Sequence, residues 1–473
     1  MVKYYCGKEY NIYIEWFMVK YDIELHVRCN EMNIIDLLSN LVSYKTVNDP
    51  LRNIRPSIDI AKYIRDILLD WGIESQIIES NGYYSVHGSI GSGKPCIMLL
   101  AHFDTVPVDP SKWDYDPFKL TIVGNKAYGR GALDDKANVA ALMLVLRDLV
   151  KRDLKVKIFF AFTGDEEIGG ANGAQVIAGK LYKENMLPRY LINGDGHGMK
   201  IINRRRKAFR IELEVPIQKA ICNGILRTKI FKAYYPLKQH AHAAYFHPGT
   251  DIHPLIAASV FVRENNVYVV SLEGKFLKSN VIPDQVILKY VEPGTGGTKI
   301  EYDKSLTQLL KALYPVSRLA FPTDKPSEYG VTITPNVYEL NNYIHKVHFD
   351  LRAMVNDKSI IENELSKLLH EILPSSKYNV ITGMGAYMYT DKKSIIIQAF
   401  KKTLMEYGYE PEVCEGAGAT DSRHFTTYGV EAVDFGPLGG NIHGDNEYVE
   451  IKSLQVLPKI YLNTIEFLIQ SQV

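Results

Sequence analysis

The sequence has few cysteines, no excess of either charge and no long apolar run. Its 473 residues include five scattered cysteines without a CxxC pair, which argues against a disulfide framework and predicts reduced thiols in a cytoplasmic protein. Lys and Arg number 55 and Asp and Glu 54, a net charge of +1. This balance argues against nucleic acid or an anionic membrane surface as a partner. No apolar stretch reaches the ~18 residues needed to span a bilayer.

Residues 1–31 form an unusual N-terminal segment. They contain an aromatic cluster between Tyr10 and Phe17, which Glu15 interrupts. They lack the unbroken apolar core and small-residue cleavage site of a secretory signal peptide. Helical spacing of apolar residues begins near Met32. We therefore predict that this N-terminal extension is an appendage, or that the start codon has been assigned too early.

The remaining chain is long enough for two domains, and its apolar pattern changes twice. Strand-like apolar runs alternate with helical patterns over residues 32–202 and again over 386–473, which predicts an α/β catalytic domain in two parts with a mostly parallel central sheet. Between them, residues 203–385 contain half-exposed strand patterns, as at 209–215, and a helix at 361–373, typical of an inserted α+β domain. In the catalytic part we expect strands at 96–101, 156–162, 190–193 and 432–435, and helices at 58–69, 137–149, 394–407 and 453–471.

Polar clusters follow several predicted strands. The most informative is Gly-Asp-Glu-Glu at residues 164–167, because two adjacent glutamates in one pocket repel each other. A divalent cation resolves the conflict if it binds one carboxylate and leaves the other to carry a proton. For this motif alone, an ordinary acidic turn at a helix start is the alternative. Four further clusters lie in separate loops and contain His102 with Asp104, Asp134, Asp195 and His443.

These residue types suit a pair of metal ions. Ligands collect at the carboxyl ends of parallel strands, so the separate loops can meet in one cleft. Imidazole and carboxylate together favour Zn²⁺, with Co²⁺ or Mn²⁺ as alternatives. Two ions ~3.5–4 Å apart share a bridging carboxylate. One His-x-Asp alone is weak evidence, but five clusters at compatible positions predict a hydrolytic site with two metals.

Three motifs resemble those of the di-zinc peptidase and deacylase family. They are His-Phe-Asp-Thr-Val-Pro at 102–107, the Gly-Arg-Gly segment at 129–136 and Gly-Asp-Glu-Glu-Ile-Gly at 164–169. Residues 435–438, 443 and 446–447 extend the resemblance toward the C terminus. The family includes acetylornithine deacetylase, succinyl-diaminopimelate desuccinylase, aminoacylase, glutamate carboxypeptidase and related dipeptidases. The resemblance implies a zinc-peptidase-like catalytic domain interrupted by a ferredoxin-like lid.

The resemblance also implies the metal ligands. Asp134 is then the bridging ligand of two Zn²⁺ ions, followed by a cis peptide bond. His102 and Asp195 complete one metal site, and Glu167 and His443 complete the other.

Further roles in catalysis follow from the same resemblance. Glu166 is then the general base that takes a proton from the attacking water and later gives it to the leaving amine. Asp104 orients His102 through the ring nitrogen that does not bind metal.

Four matches concern the lid and the substrate. His242 matches a lid histidine that polarises the scissile carbonyl, with a histidine-rich surface loop as the alternative. Asn280 matches a lid residue that faces substrate. Arg352 and Arg423 match arginines that bind the substrate carboxylate, and a solvated strand arginine is the alternative for Arg352.

Two features of the lid depart from the short deacylases. Residues 204–207, Arg-Arg-Arg-Lys, are unusually basic, and we interpret them as a solvated turn or as a surface that faces an anionic substrate. The insertion itself is longer than a compact lid. The dimeric relatives predict a homodimer through the lid, and the extra length makes a monomer the alternative.

The predicted function is metal-dependent hydrolysis of an amide bond in an N-acyl amino acid, as in amino-acid biosynthesis. A dipeptidase or carboxypeptidase of the same family is the alternative. A remote alternative is a non-catalytic binding protein that kept the fold. It is remote because all five predicted ligands and Glu166 are present.

Overall fold

The computed structural model describes residues 32–236 and 242–471, so the N-terminal extension and part of the histidine-rich loop, residues 237–241, lie outside the described residues. The chain forms two units. The first comprises the chain up to Asn203 with Thr390–Cys414 and Thr420–Val473, and the second comprises Arg204–Tyr389 and Glu415–Ala419. The apolar pattern of the sequence gives no sign that residues 415–419 separate from their neighbours.

The elements alternate in the first unit and are richer in strands in the second. The strands are β1 (Ser75–Ser80), β2 (Tyr83–Ile90), β3 (Pro95–His102), β4 (Thr121–Val123), β5 (Lys126–Tyr128), β6 (Lys157–Thr163), β7 (Tyr190–Asn193), β8 (Ile201–Arg205), β9 (Lys207–Pro216), β10 (Lys219–Lys232), β11 (Tyr268–Gly274), β12 (Gln285–Pro293), β13 (Thr298–Asp303), β14 (Thr332–Asn341), β15 (Ile344–Ala353), β16 (Lys377–Thr382), β17 (Met388–Tyr389), β18 (Val413–Gly416), β19 (Glu431–Asp434), β20 (Gly439–Gly440) and β21 (Tyr448–Glu450). The α-helices are α1 (Ile34–Ser43), α2 (Ile58–Asp70), α3 (Lys136–Leu149), α4 (Ala174–Lys183), α5 (Pro254–Glu264), α6 (Lys304–Ser317), α7 (Lys358–Ile372), α8 (Ile395–Glu406), α9 (Ser422–Thr426) and α10 (Ile451–Gln470). Across the described residues, no helix combines the length and the apolar character that crossing a membrane requires.

The first unit is built on a mixed sheet with the strand order β1-β2-β6-β3-β7-β19-β8. Its four central strands β6, β3, β7 and β19 are parallel, which confirms the predicted mostly parallel centre. The strands β1 and β2 extend one side as an antiparallel pair. Because parallel neighbours end at the same edge of a sheet, the loops after β3, β6 and β7 lie close together.

Helix α3 packs the loop that precedes it onto the core. Nearly all its side chains are buried, including Val139, Leu142 and Leu146. Full burial of such side chains stabilises the fold by about 1.5–3 kcal/mol each. The N-terminal end of α3, where residues 129–135 join it, is therefore held firmly.

The second unit contains two antiparallel sheets of four strands. One has the order β14-β15-β9-β16 and the other β11-β12-β10-β13. Apolar residues of these strands and of α5, α6 and α7 form one core. The predicted inserted α+β domain is confirmed.

The basic run at residues 204–207 is buried. Arg204, Arg205, Arg206 and Lys207 are only 1–8% exposed and lie at the junction of β8 and β9. The interpretation as a solvated turn is therefore wrong. Burial of four cationic side chains is costly unless each finds partners. Arg205 donates to the carbonyl oxygen of Gly418 at 3.0 Å and Lys207 to that of Asn356 at 3.5 Å, and the partners of Arg204 and Arg206 are described below.

Candidate metal centre

Three neighbouring parallel strands bring acidic and histidine side chains to one edge of the sheet. His102 is the last residue of β3. Glu166 and Glu167 begin a 3₁₀ turn just after β6, and Asp195 lies two residues beyond the end of β7. The order of the strands, not the order of the sequence, makes these loops neighbours.

Asp134 lies in a loop that a buried carboxylate organises. The loop precedes α3, and its peptide bond between Asp134 and Asp135 is cis, as the resemblance implies. The carboxylate oxygens of Glu447, a fully buried residue, accept hydrogen bonds from the backbone N–H groups of Gly131 (3.1 Å), Leu133 (2.9 Å) and Asp134 (3.0 Å). Glu447 thereby fixes the direction in which Asp134 leaves the backbone.

Arg130 joins this loop to the one that carries His443. Its Nη1 donates to Glu447 at 2.5 Å, and its Nη2 donates to the carbonyl oxygen of Gly444 at 2.9 Å. Gly444 is the neighbour of His443. In the sequence, the motifs around Arg130 and Glu447 indicate only the resemblance to a family. Their roles follow from contacts between residues more than 300 positions apart, and the presence of an Arg and a Glu in two of the family-like motifs is the only hint in the sequence.

The predicted ligand atoms converge on Asp134. Its Oδ1 lies 3.0 Å from Nε2 of His102, and its Oδ2 lies 3.0 Å from Nε2 of His443. Nε2 of His443 is also 3.2 Å from Oε2 of Glu167. The ligand atoms form two groups, and within each group they lie within 4.8 Å of one another. One group comes from His102, Asp134 and Asp195. The other comes from Asp134, Glu167 and His443.

This donor set fits two divalent cations that share one carboxylate. The two oxygens of Asp134 face different imidazoles, as a bridging ligand requires. Oε1 of Glu167 is buried and makes no hydrogen bond with any described residue, so it has no protein partner that would compete with a metal. Histidine nitrogen and carboxylate oxygen are ordinary ligands of Zn²⁺.

The electrostatics of the cluster favour a cation. Burial opposes the charge on His102, but its contacts with Asp104 and Asp134 prevail and raise its pKa well above the usual value. Burial likewise opposes the charge on His443, and Glu167 and Asp134 outweigh it and raise that pKa too. Both shifts report a strongly negative potential, which a bound divalent ion would neutralise.

Asp104 connects the His102 loop to the glutamate pair. Nδ1 of His102 lies 3.1 Å from the backbone oxygen of Asp104 and 3.3 Å from its Oδ1. The same carboxylate accepts the backbone N–H groups of Glu166 at 3.0 Å and Glu167 at 3.2 Å. With Nδ1 directed at Asp104, Nε2 of His102 faces the ligand cluster.

Glu166 is beside the cluster but outside both groups of ligands. Burial raises the pKa of its carboxyl group well above the usual value, while His102 and Arg423 act in the opposite direction. Nη2 of Arg423 is buried and makes no hydrogen bond with any described residue. Glu166 is thus a carboxyl group that is not committed to a ligand position.

The other predicted site residues lie in the second unit. Nδ1 of His242 accepts a hydrogen bond from the backbone N–H of Ala244 at 3.1 Å, and its Nε2 lies 3.3 Å from Nδ2 of Asn280. Arg352 is 7% exposed, and its Nε and Nη2 each donate to Asp350 at 2.8 Å. The alternative of a solvated strand arginine is therefore wrong for Arg352.

Comparison with known proteins places the chain among peptidases. Residues 98–466 match the model of a family described as peptidase family M20/M25/M40. An M20 family metallo-carboxypeptidase from Sulfolobus solfataricus aligns over 93% of this chain and 100% of its own, with a TM-score of 0.60 and 18% identity. Aminoacylhistidine dipeptidase from Vibrio alginolyticus aligns over 92% and 96%, with a TM-score of 0.67 and 15% identity. Human carnosine dipeptidase 1 aligns over 94% and 98%, with a TM-score of 0.54 and 17% identity.

Proposed function

The chain belongs to peptidase family M20/M25/M40 and is a metallohydrolase, and on that premise we propose that it cleaves the amide bond of a small N-acyl amino acid. The proposal is supported most directly by the convergence of two groups of ligand atoms on Asp134, with Glu166 uncommitted beside them.

Two Zn²⁺ ions are the proposed cofactors, with Co²⁺ or Mn²⁺ as alternatives. His102 and Asp195 would hold one ion, Glu167 and His443 the other, and Asp134 would bridge them. Such ions, when bound, polarise a carbonyl oxygen and lower the pKa of water.

Glu166 is the proposed general base and acid. It takes one proton from the attacking water as the new C–O bond forms. It then gives that proton to the amide nitrogen as the C–N bond breaks. The products are a carboxylic acid and an amine, and the acid passes its proton to the amine to give a carboxylate and an ammonium ion. Its position outside the ligand groups keeps the carboxylate available for both transfers.

His242 is the proposed donor to the scissile carbonyl. Because its Nδ1 accepts the N–H of Ala244, a neutral imidazole carries its hydrogen on Nε2. That N–H can stabilise the negative charge that develops on the carbonyl oxygen. Asn280 lies against the same nitrogen, and its amide oxygen satisfies that N–H when the amide group is turned over.

Arg423 and Arg352 are the proposed partners of the substrate carboxylate. Nη2 of Arg423 has no hydrogen-bond partner among the described residues, which leaves a donor for an anionic ligand. In Arg352 the pair of donors formed by Nε and Nη2 is held by Asp350, so only Nη1 is free of that ion pair. An arginine that is already oriented loses little entropy when it binds a carboxylate.

A dipeptide is the second candidate substrate. The solved structures that align over most of this chain include an aminoacylhistidine dipeptidase and a carnosine dipeptidase, which favours peptide hydrolysis. The resemblance of residues 420–423 and 435–438 to the deacylase branch favours an N-acyl amino acid instead.

A hydrolysis screen tests the function. Protein stripped with a chelator is reloaded with Zn²⁺, Co²⁺ or Mn²⁺ and given succinyl-diaminopimelate, acetylornithine, acetyl-lysine and a set of dipeptides. We expect turnover only after reloading, and loss of ~10²–10⁴-fold in Glu166→Gln with unchanged metal content. Activity in the stripped protein contradicts the metal site, an unchanged rate in Glu166→Gln contradicts the base, and turnover of dipeptides alone selects the second candidate.

We further propose that the protein is a cytoplasmic homodimer that associates through the second unit. Four apolar side chains of β10 are exposed by 50–67%, namely Ile221, Ile225, Leu226 and Ile230. Two of them, Leu226 and Ile230, lie an even number of residues apart and therefore share one face of the strand. Exposed apolar side chains that share a face mark a candidate interface. A monomer is the alternative, because the lid is long.

A further inference from the structure

The basic run at residues 204–207 contains one arginine that is wholly enclosed. The side chain of Arg206 is 0% exposed and is the largest of the fully buried side chains among the described residues. Its neighbour Arg204 pairs with Glu328, which is about half exposed. Removal of a guanidinium group from water costs free energy, which hydrogen bonds and a counter-charge must offset.

Arg206 makes these contacts to three separate segments of the second unit. Nε lies 3.2 Å from Oε1 of Glu415, whose side chain is also 0% exposed. The guanidinium carbon is 4.8 Å from the centre of the Tyr329 ring. The hydrogen bonds run from Nη1 to Oγ1 of Thr332 (2.9 Å) and the carbonyl oxygen of Gly330 (3.3 Å), and from Nη2 to the carbonyl oxygen of Ala244 (2.8 Å).

Ala244 is the residue that connects Arg206 to His242. Its carbonyl oxygen accepts from Arg206, and its N–H donates to Nδ1 of His242. The adjacent Ala243 donates its N–H to the carbonyl oxygen of Asn280 at 2.9 Å. The 3₁₀ turn Ala243–Tyr245 is therefore held on one side by the Asn280 segment and on the other by Arg206.

We propose that Arg206 is a positioning residue for the His242 imidazole, an inference that rests on the proposed function of His242. By holding the carbonyl of Ala244, Arg206 fixes the turn whose N–H caps Nδ1 and keeps the hydrogen of the neutral ring on Nε2. A planar guanidinium can reach Glu415, Thr332 and Ala244 at once, whereas the single ammonium group of a lysine cannot. Within the basic run, Arg206 then serves the lid histidine and does not bind the substrate itself.

The test compares two neighbouring arginines of the run. Arg206→Lys keeps the charge beside Glu415 but loses the fork, and Arg204→Lys is the matched control. We expect Arg206→Lys to lower kcat about 10- to 100-fold with KM changed less than about threefold, since small misplacement of a catalytic group costs that much. The control should stay within about twofold of the parent, and both variants should keep the parental metal content. Parental kcat in Arg206→Lys overturns the proposal.

Rescue by a small molecule separates positioning from a merely structural role. In Arg206→Ala, millimolar guanidinium should restore part of kcat, because it can occupy the space that the side chain leaves. Failure of guanidinium to restore kcat in a folded Arg206→Ala counts against the proposal. If Arg206→Ala is too unstable to purify, Arg206→Lys decides the question alone.

A double-mutant cycle tells failure of this inference from failure of the function of His242. Arg206→Lys should add less than about twofold to the loss already caused by His242→Gln, because residues that act through one group are not additive. Additive losses overturn the positioning role and leave His242 untouched. Parental kcat in His242→Gln overturns the proposed function of His242, whatever Arg206→Lys does.

Discussion

At the scale of single residues, the candidate site depends on carboxylates that lie outside both groups of candidate ligand atoms. Glu447 accepts three backbone N–H groups and one guanidinium, and Asp104 accepts the backbone of both glutamates at 166 and 167. Such contacts orient ligands before any metal arrives, and removal of outer-shell partners typically costs 10–100-fold in metal affinity or activity.

Replacement of Glu447 should therefore weaken metal binding. Glu447→Gln keeps the shape but substitutes an NH₂ group for one acceptor oxygen, so that at least one N–H of the Asp134 loop loses its partner. We expect Zn²⁺ affinity, measured by competition with a chromophoric chelator, to fall about 10- to 100-fold. Glu450→Gln, three residues away and in contact with Asn125, is the control and should bind like the parent. Equal affinity in the two variants contradicts the orienting role of Glu447.

The sequence predicts ligand types better than it predicts their supports. The clusters that contain His102, Asp134, Asp195 and the glutamate pair stand out because imidazole and carboxylate groups recur in loops after or near strands. The family resemblance then implies which of them are ligands. The support from Glu447 could not be derived, because a buried Glu has no pattern of its own and its partners are over 300 residues away. The burial of Arg206 could not be predicted either, because a charged side chain is expected to be exposed and its partners are distant in sequence.

At the scale of elements, continuous apolar runs were predictable and interrupted ones were not. The strand predicted at 96–101 appears as Pro95–His102 and the one at 156–162 as Lys157–Thr163, because strands buried on both faces need apolar residues throughout. The strand β10 is mostly exposed, and Gly224 lies in its middle, so neither periodicity nor composition marks it. Its partners β12 and β13 in the folded unit define it.

The start of helix α5 should make stability depend on pH. His253, its N-terminal cap residue, is 2% exposed, and its Nε2 lies 2.9 Å from Oδ1 of Asn336. Burial lowers its pKa to about 4, although the contact with Asn336 acts in the opposite direction. Nδ1 has no hydrogen-bond partner among the described residues, so a proton placed there would be buried without compensation.

The sign of this effect follows from the two protonation states. The unfolded chain takes up the proton near pH 6.5, whereas the folded chain resists it down to about pH 4. The contribution of His253 is therefore complete above pH 6.5 and is lost as the pH falls toward 4. Between pH 7 and 5 it should amount to about 2 kcal/mol of unfolding free energy.

Urea unfolding of the parent and of His253→Gln at pH 7 and pH 5 measures this contribution. Gln can still donate to Asn336 but does not titrate. The free energy of unfolding should fall by about 2 kcal/mol more in the parent than in the variant over this interval. Identical pH dependence in the two proteins contradicts a neutral buried His253.

At the scale of the whole molecule, the chain has one feature that linear analysis does not reveal. The insertion is visible because its strand pattern differs from that of the flanking parts. Residues 415–419, by contrast, belong to the second unit although they lie far along the chain from the rest of it. Glu415 meets Arg206, and its carboxylate accepts Oγ of Ser327 at 2.8 Å. A charge that is buried without its partner is strongly destabilising. The ion pair with Arg206 therefore holds Glu415, and with it the short segment 415–419, in the second unit.

The last prediction follows from the proposed homodimer: charged substitutions on β10 should disrupt it. If a second copy covers the exposed apolar side chains of this strand, then Leu226→Glu combined with Ile230→Glu places four charges in one symmetric interface and should give a monomer. Light scattering and sedimentation velocity should report twice the chain mass of 53.6 kDa for the parent and the single mass for the variant. Ile122→Glu is the control, because Ile122 is equally exposed but lies on β4 of the first unit, and it should leave the dimer intact. A parent that sediments as a monomer rejects the dimer. A double variant that still dimerises would exclude β10 from the contact. The dimer would then require another surface, and a stable interface of ordinary size buries about 1,600 Å².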